Sequence, residues 1–130
     1  MNLQARIKGE AAAAVTKENS AAAMGSGTLP VFATPAMVAL MERAASESVQ
    51  PFLPEGDTTV GTLMQIEHLS ATPLGMDVKA ESMLEAVDGR KLVFTVKAFD
   101  ASGLIGQGRH ERVVITAERF LQKAESKKGK

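Results

Sequence analysis

Cysteine, tryptophan and tyrosine are absent from this chain of 130 residues, and histidine occurs only twice. The lack of cysteine excludes disulfides, thiolate-bound zinc, iron–sulfur clusters and a cysteine nucleophile. Two histidines leave few ligands for a transition metal, so we predict no metal site. Lys plus Arg number 15 and Asp plus Glu number 15, and a chain without a basic excess is not expected to bind nucleic acid. The two histidines are therefore the first places to look for chemistry.

Long apolar runs are also missing. No stretch reaches the roughly 18 residues that a membrane span requires, so no membrane association is expected. The N-terminal stretch is too short and too weakly apolar for a signal peptide, which makes the cytoplasm the expected compartment. The length predicts a single domain over residues 1–130. Within it, about 121–130 are expected to form a frayed basic tail, because the chain ends in Ser126-Lys127-Lys128-Gly129-Lys130.

A helix is predicted from Thr34 to about Val49. The Thr34 hydroxyl is expected to cap it, Pro35 suits its first position, and Pro51 stops it. Glu42 falls at the margin of the apolar arc, neither plainly solvated nor plainly in the core. The apolar residues that recur at helical spacing are Met37, Val38, Leu40, Met41, Ala44, Ala45 and Val49.

Four antiparallel strands are predicted after the helix, because the apolar period changes to two. On the first strand, His68 points the same way as Met64 and Ile66. Asp88-Gly89 is a strong hairpin signal, and a turn at Asp100–Gly103 precedes the last strand. This order predicts an α+β domain with the helix lying on an antiparallel sheet. On the second strand one face comprises Val78, Ala80, Ser82, Leu84 and Ala86.

The alanine-rich stretch Glu10–Met24 is ambiguous. Its composition favours a helix, since alanine has the highest helix propensity. Ala11–Val15 could equally form an edge strand before a turn at Asn19-Ser20. The residues alone leave both alternatives open.

Thr34, Glu42 and His68 are the candidate catalytic residues, provided that the helix lies across the sheet. A histidine near its free pKa can accept a proton from water, and a carboxylate can orient that histidine, act as a base or attack directly. The helix N-terminus offers N–H groups that could hold an oxyanion. Each residue also has a structural interpretation. Thr34 could be only a helix cap, Glu42 a surface carboxylate paired with Arg43 or His68, and His68 an ordinary strand histidine.

The other histidine, His110, lies in the glycine-containing stretch Gly106–Arg112. This stretch has neither GxGxxG nor a Walker lysine, so no nucleotide-phosphate loop is predicted. Glycines within a strand pattern are more typical of a bulge or a close backbone approach. His110 and Arg112 share parity and could line one face. The alternative is a cross-strand salt bridge with Glu81 or Glu85, and His110 receives no firm role.

Six motifs stand in register along about Met24 to Phe120. They are Val31-Phe32-Ala33-Thr34-Pro35-Ala36-Met37, Leu40-Met41-Glu42, Thr59-Val60-Gly61-Thr62, His68-Leu69-Ser70-Ala71-Thr72-Pro73-Leu74-Gly75-Met76, Val87-Asp88-Gly89-Arg90 and Ile105-Gly106-Gln107-Gly108-Arg109-His110-Glu111-Arg112. In these motifs the chain resembles the hotdog-fold thioesterases related to fluoroacetyl-CoA thioesterase. The resemblance implies a hotdog fold, in which a curved antiparallel sheet wraps a long central helix and two chains form a two-fold dimer. It also implies that Ala11–Val15 is an edge strand.

The same resemblance implies which residues act. Thr34, Glu42 and His68 match the catalytic residues of the family. Gly61 matches a strand glycine beside the thioester, and Arg112 matches an arginine near the substrate end of the last strand. The implied partners are an acyl-CoA substrate, in a groove near the subunit interface, and a second copy of the chain, in a dimer or a tetramer. No metal is implied, and no cofactor beyond the CoA of the substrate.

One stretch departs from the family pattern. Met24-Gly25-Ser26-Gly27-Thr28-Leu29-Pro30 stands where fluoroacetyl-specific members carry aromatic residues as a lid. Small and flexible residues there count against fluoroacetyl specificity and favour an ordinary acyl-CoA thioester. The leading hypothesis is hydrolysis of an acyl-CoA thioester to free acid and CoA. The alternatives are a non-catalytic acyl-CoA-binding or sensing module and a purely structural dimer subunit.

Overall fold

The computed structural model describes residues 3–129. The helices and strands are, in chain order, β1 (Lys8–Ala14), α1 (Ala21–Met24), α2 (Thr34–Val49), β2 (Asp57–His68), β3 (Asp77–Asp88), β4 (Lys91–Asp100), β5 (Gly103–Thr116) and α3 (Ala117–Glu125). Single 3-10 turns occupy Lys17–Asn19, Gln50–Phe52 and Ser126–Lys128. The predicted helix and the four strands that follow it are thus confirmed.

The strands form one five-stranded sheet in the order β1-β3-β4-β5-β2. Every neighbouring pair is antiparallel, and α2 packs mainly against β1 and β3. This confirms the α+β class with a helix lying on an antiparallel sheet. The side chains buried between helix and sheet include Phe32, Met37, Met41, Leu84, Leu92, Phe94, Val96 and Ile105.

The alanine-rich stretch Glu10–Met24 begins as strand and ends as a short helix, because its first five residues belong to β1 and its last four form α1. β1 is an edge strand in which Ala11 pairs with Ala80 and is buried, as the resemblance implied. A side chain at Gly9 would clash with the carbonyl of Ala44 and lie 2.6 Å from Ser82 Oγ. Small residues therefore serve close packing of α2 on β1, and that packing overrides the helix propensity of alanine.

The start of α2 differs from the predicted cap. Ala33 is the N-cap residue and makes no side-chain capping bond, while Thr34 and Pro35 are the first two helical residues. The expectation that the Thr34 hydroxyl caps the helix is therefore wrong. Because Thr34 already lies inside the helix, its hydroxyl is free to bond elsewhere.

Strand β2 contains a bulge at Thr62. The pairing with β5 runs from Gly61↔Arg112 to Leu63↔Glu111, so one residue of β2 has no partner. Because side chains alternate along a strand, the extra residue changes which parity faces the helix. The residues facing it are Thr59 and Gly61 before the bulge and Met64, Ile66 and His68 after it. Thr62 itself, which the period-two pattern grouped with Met64 and His68, is exposed.

A second bulge interrupts β3. Its pairing with β4 shifts between Leu84 and Ala86. As a result Ala86 is exposed, and Val87 packs against the core in its place. The assignment of Ala86 to the apolar face is wrong for this reason.

The C-terminal segment is helical where a frayed tail was expected. α3 covers Ala117–Glu125, and a 3-10 turn continues to Lys128. Its side chains from Glu118 onward are exposed, as expected for a solvated tail. Between residues 3 and 129, none of the helices has the length and apolar character needed to cross a membrane.

Candidate functional site

One end of the candidate site lies where α2 begins and β2 ends. Thr34 Oγ1 is 2.7 Å from His68 Nδ1. His68 pairs with Gly106 of β5. A Cβ at Gly106 would lie 2.6 Å from Met37 Sδ, so glycine at this position lets the first turn of α2 approach the sheet. This close approach brings the Thr34 hydroxyl onto the imidazole ring.

The other ring nitrogen of His68 is unused. Within residues 3–129, Nε2 is buried and has no hydrogen-bond partner. Burial lowers the pKa of His68 below its ordinary value, with a smaller opposing effect from the backbone of Ser70. The ring is therefore neutral at neutral pH. When Nδ1–H donates to Thr34, the Nε2 lone pair is free to accept a proton.

The first turn of α2 adds electrostatic polarity to this end. The amides of Thr34 and Ala36 precede the regular hydrogen-bonded pattern of the helix, and Pro35 has no N–H. The first of these helical bonds in α2 runs from the Met37 amide to the carbonyl of Ala33. Free amides and the positive end of the helix dipole can stabilise a developing oxyanion.

The other end of the site contains a carboxylate next to a buried guanidinium. Glu42 Oε2 lies 3.7 Å from Arg112 Nη1, and the two side chains are 42% and 8% exposed, respectively. A Cβ at Gly61 would lie 2.8 Å from Glu42 Oε2 and 3.4 Å from Arg112 Nη1. Gly61 therefore leaves the space that these two groups occupy, and the carboxylate remains accessible.

Arg112 belongs to a buried network with Thr59 and His110. Its Nε donates to Thr59 Oγ1 at 2.7 Å, and its Nη2 donates to the Thr59 carbonyl at 2.9 Å. Its Nη1 lies 3.2 Å from His110 Nε2. Burial lowers the pKa of Arg112, with an opposing effect from the charge of Glu42. The network confirms that His110 and Arg112 share one face.

The alternative pairing of this face with Glu81 or Glu85 is wrong. Both glutamates lie on β3, which is not a neighbour of β5 in the sheet. Glu81 instead forms an ion pair with Lys79, and Glu85 accepts a hydrogen bond from Thr95. The sequence did not identify Thr59, because the bulge that follows it conceals its orientation.

A groove of about 830 Å³ lies between the two ends. It is lined by residues midway along α2, β2, β4 and β5, among them Val38, Met64, Ile66 and Gly108, and not by Thr34, Glu42, His68 or Arg112 themselves. Thr34 and Glu42 are eight residues apart on α2, which corresponds to about 12 Å of helix. Thr34 and His68 are thus brought together, as are Glu42, Gly61 and Arg112. The expected contact between Glu42 and His68 is absent within residues 3–129 of one chain.

No group of three or more His, Asp or Glu side chains in the described part of the chain is arranged to hold a metal ion. The two ends of the site offer one imidazole and one carboxylate. Such a donor set can move protons and attack a carbonyl carbon.

The chain is similar to proteins of a known family. A family model described as fluoroacetyl-CoA-specific thioesterase matches residues 15–118. The fluoroacetyl-CoA thioesterase of Streptantibioticus cattleyicolor is 42% identical over 97 residues, which cover 75% of this chain and 70% of that protein.

Solved structures match over nearly the whole chain. A threonine-to-serine mutant of the thioesterase FlK, in complex with acetyl-CoA, has a TM-score of 0.92 at 31% identity, covering 98% of this chain and 100% of that chain. A hot-dog-like protein from Thermanaerovibrio acidaminovorans has a TM-score of 0.89 at 23% identity, covering 98% and 95%. Because the family model spans most of the sequence and the solved structures share its architecture, this chain has the hotdog fold and belongs to the fluoroacetyl-CoA-specific thioesterase family.

Proposed function

We propose that this thioesterase hydrolyses an acyl-CoA thioester to free acid and CoA, with Thr34, Glu42 and His68 as catalytic residues. The observation that carries the proposal is the pair of reactive groups at the two ends of the site. One is a neutral imidazole with a free nitrogen, the other an accessible carboxylate beside a buried arginine, and the groove lies between them. The substrate class is supported by the relatives, one named a fluoroacetyl-CoA thioesterase and another solved with acetyl-CoA.

The proposed reaction uses each end of the groove differently. Glu42 acts on the acyl carbon, by direct attack to form an anhydride or by directing a water molecule. In the water route, His68 Nε2 takes a proton from the attacking water, the C–S bond breaks, and the proton passes to the CoA thiolate. In the anhydride route, the C–S bond breaks as Glu42 attacks; water then cleaves the anhydride and regenerates the Glu42 carboxylate, and His68 passes the proton of that water to the CoA thiolate. Thr34 holds Nδ1 of that ring, and the amides at the start of α2 stabilise the negative charge on the acyl oxygen. The reaction needs no metal and no cofactor beyond the CoA of the substrate.

A second copy of the chain would bring the two ends together. β2 pairs with β5 on one side only and forms an edge of the sheet. If two β2 strands pair antiparallel about a two-fold axis, the His68 end of one lies beside the Gly61 end of the other. Thr34 and His68 of one chain then face Glu42 and Arg112 of its partner. We therefore propose a homodimer as the active form, alone or within a tetramer.

The acyl group is proposed to be an ordinary one rather than fluoroacetyl. The segment between α1 and α2 starts at Gly25, whose φ of 74° is left-handed, and contains no aromatic residue before Phe32. Leu29 in this segment and Met24 at the end of α1 are exposed, whereas Phe32 is buried in the core. No aromatic side chain of this segment is thus available to close over a small fluorinated acyl group.

A thiol-release assay over a panel of acyl-CoA thioesters, from acetyl-CoA to longer saturated chains, tests the activity. His68→Ala and Glu42→Ala are each expected to lower kcat by at least about a hundredfold, the usual scale for lost acid–base catalysis. Glu47→Ala is the matched control, because Glu47 lies on α2 in an exposed pair with Arg43.

Two outcomes would contradict the proposal. One is wild-type turnover in both site variants. The other is binding of acyl-CoA by calorimetry without release of thiol from any member of the panel, which would favour a non-catalytic binding module.

A further inference from the structure

His110 has no part in the reaction proposed above, yet it is among the largest fully buried side chains of the core. We propose that His110 is a positioning residue: by accepting a hydrogen bond from Arg112, it holds the guanidinium back from Glu42 and keeps that carboxylate free to react. This inference rests on the proposed role of Glu42.

The two hydrogen bonds of His110 fix a single tautomer. Arginine nitrogens are donors only, so the contact of 3.2 Å between Arg112 Nη1 and His110 Nε2 requires Nε2 to be the acceptor. The proton then lies on Nδ1, which donates to the Leu63 carbonyl at 2.8 Å. A neutral ring with its proton on Nδ1 is the only form that satisfies both contacts, and burial, which lowers the pKa of His110, favours that neutral form.

The surroundings prevent the ring from turning away. His110 is 1% exposed and stacks on Phe94, with ring centroids 6.0 Å apart and an angle of 29° between the planes. A Cβ at Gly61 would lie only 3.2 Å from His110 Cε1. The ring is therefore enclosed by a phenyl group on one side and by the backbone of β2 on another.

The geometry of Arg112 shows what this restraint achieves. An arginine beside a carboxylate commonly closes to a bidentate pair with N···O distances of about 2.7–2.9 Å. Here Thr59 accepts hydrogen bonds from Nε and Nη2 of Arg112, and His110 accepts one from Nη1. The remaining approach to Glu42 is 3.7 Å, longer than a hydrogen bond. Three acceptors thus hold the guanidinium as a nearby positive charge that leaves the Glu42 oxygens open to water or to an acyl carbon.

A matched pair of substitutions separates this role from simple packing. His110→Gln can place an acceptor near the position of Nε2, whereas His110→Asn can place only a donor near Nδ1, which keeps the Leu63 contact. We expect kcat to be at least about tenfold higher in the glutamine variant than in the asparagine variant, the scale for a hydrogen bond to a charged group. KM is expected to change much less than kcat. Val78→Ala, a buried truncation on β3, is the control for lost packing.

Equal kcat values in the two variants would overturn the proposal, as would wild-type kcat in His110→Phe.

A second measurement does not depend on activity. Nitrogen-15 NMR of the imidazole rings should show His110 with its proton on Nδ1, and His68→Ala simplifies the spectrum because the chain has only two histidines. A proton on Nε2 would overturn the proposal even if a variant fails to fold. If the wild type releases no thiol from any acyl-CoA, the proposed function fails, while the tautomer still decides whether His110 holds Arg112.

Discussion

At the scale of single residues, Gly61 and Gly108 are required for different reasons. A Cβ at Gly61 would press on the end of the Glu42 side chain, whereas a Cβ at Gly108 would meet the backbone of Gln65 and lie 2.7 Å from the Cα of Ile66. A flexible side chain can move aside, but a strand backbone cannot. The first glycine therefore serves the position of a reactive group, and the second serves the sheet itself.

Gly61→Ala is accordingly expected to lower kcat by at least about tenfold, because alanine displaces the Glu42 carboxylate. Gly108→Ala is expected to cost about 1–3 kcal/mol or more of folding free energy, as overpacking does. Thiol release and thermal unfolding measure the two effects. Wild-type kcat in Gly61→Ala would show that the position of the carboxylate is not critical.

Sequence patterns identified most of these residues but not their geometry. The helical phase placed Glu42 at the margin of the apolar arc, and parity placed His110 beside Arg112; both are confirmed. The Thr34 hydroxyl was assigned to the helix cap instead, because a cap requires only local sequence, whereas its actual partner, His68, is 34 residues away. Contacts that depend on the crossing of a helix and a strand leave no periodic trace in the sequence.

At the scale of the elements, the bulge in β2 decides which side chains reach the groove. Counting by two from Met64 and His68 puts Thr62 on the inner face, but the extra residue makes Gly61 and Thr59 face inward instead. The assignment of faces along β2 failed at the bulge, because an alternating pattern of apolar residues does not show where one residue is left unpaired. The hairpin at Asp88-Gly89 was predictable, since a glycine with a φ of 61° follows β3 and the turn residues specify it.

Deletion of Thr62 is expected to abolish the cooperative unfolding of the native fold. Without the extra residue, either Thr59 and Gly61 or Met64 and His68 must point away from α2. Thr62→Val keeps the residue count and loses a single hydrogen bond of 3.3 Å to the Glu111 carbonyl, which is worth about 1 kcal/mol. Circular dichroism during heating compares the two variants. A deletion variant that unfolds like the wild type would mean that the strand absorbs the change elsewhere.

At the scale of the whole molecule, one chain carries the Thr34–His68 and Glu42–Arg112 pairs at separate places, and it has no net charge. CoA carries several phosphate charges, and a neutral protein provides no overall field to attract them. Local cations must therefore hold the ligand. Arg112 is too deeply buried and too fully bonded to do so alone.

If half-sites from two chains form each groove, inactive variants should complement one another. Mixing His68→Ala with Glu42→Ala gives mixed dimers in which one groove carries both lesions and the other carries neither. Refolding the two together in equal amounts is expected to restore roughly a quarter of wild-type thiol release.

Mixing His68→Ala with Thr34→Ala is the control, because both lesions lie in the same half-site and every groove keeps one. No rescue in the test mixture would place the complete site within one chain. Rescue in the control would mean that Thr34 and His68 act from different chains, which contradicts the proposed half-sites. A strict monomer by light scattering would argue against the shared groove in the same way.

The separation of Thr34 from Glu42 along α2 also governs the genetics of the proposed dimer. A chain damaged at one end spoils only one of the two grooves that it enters, so an equal supply of normal and damaged chains keeps roughly half of the activity. A chain damaged at both ends spoils both grooves, and only the roughly one quarter of dimers without it remain active. In the proposed dimer, a double lesion is therefore expected to lower activity more than either single lesion, because α2 would place Thr34 and Glu42 in different active sites.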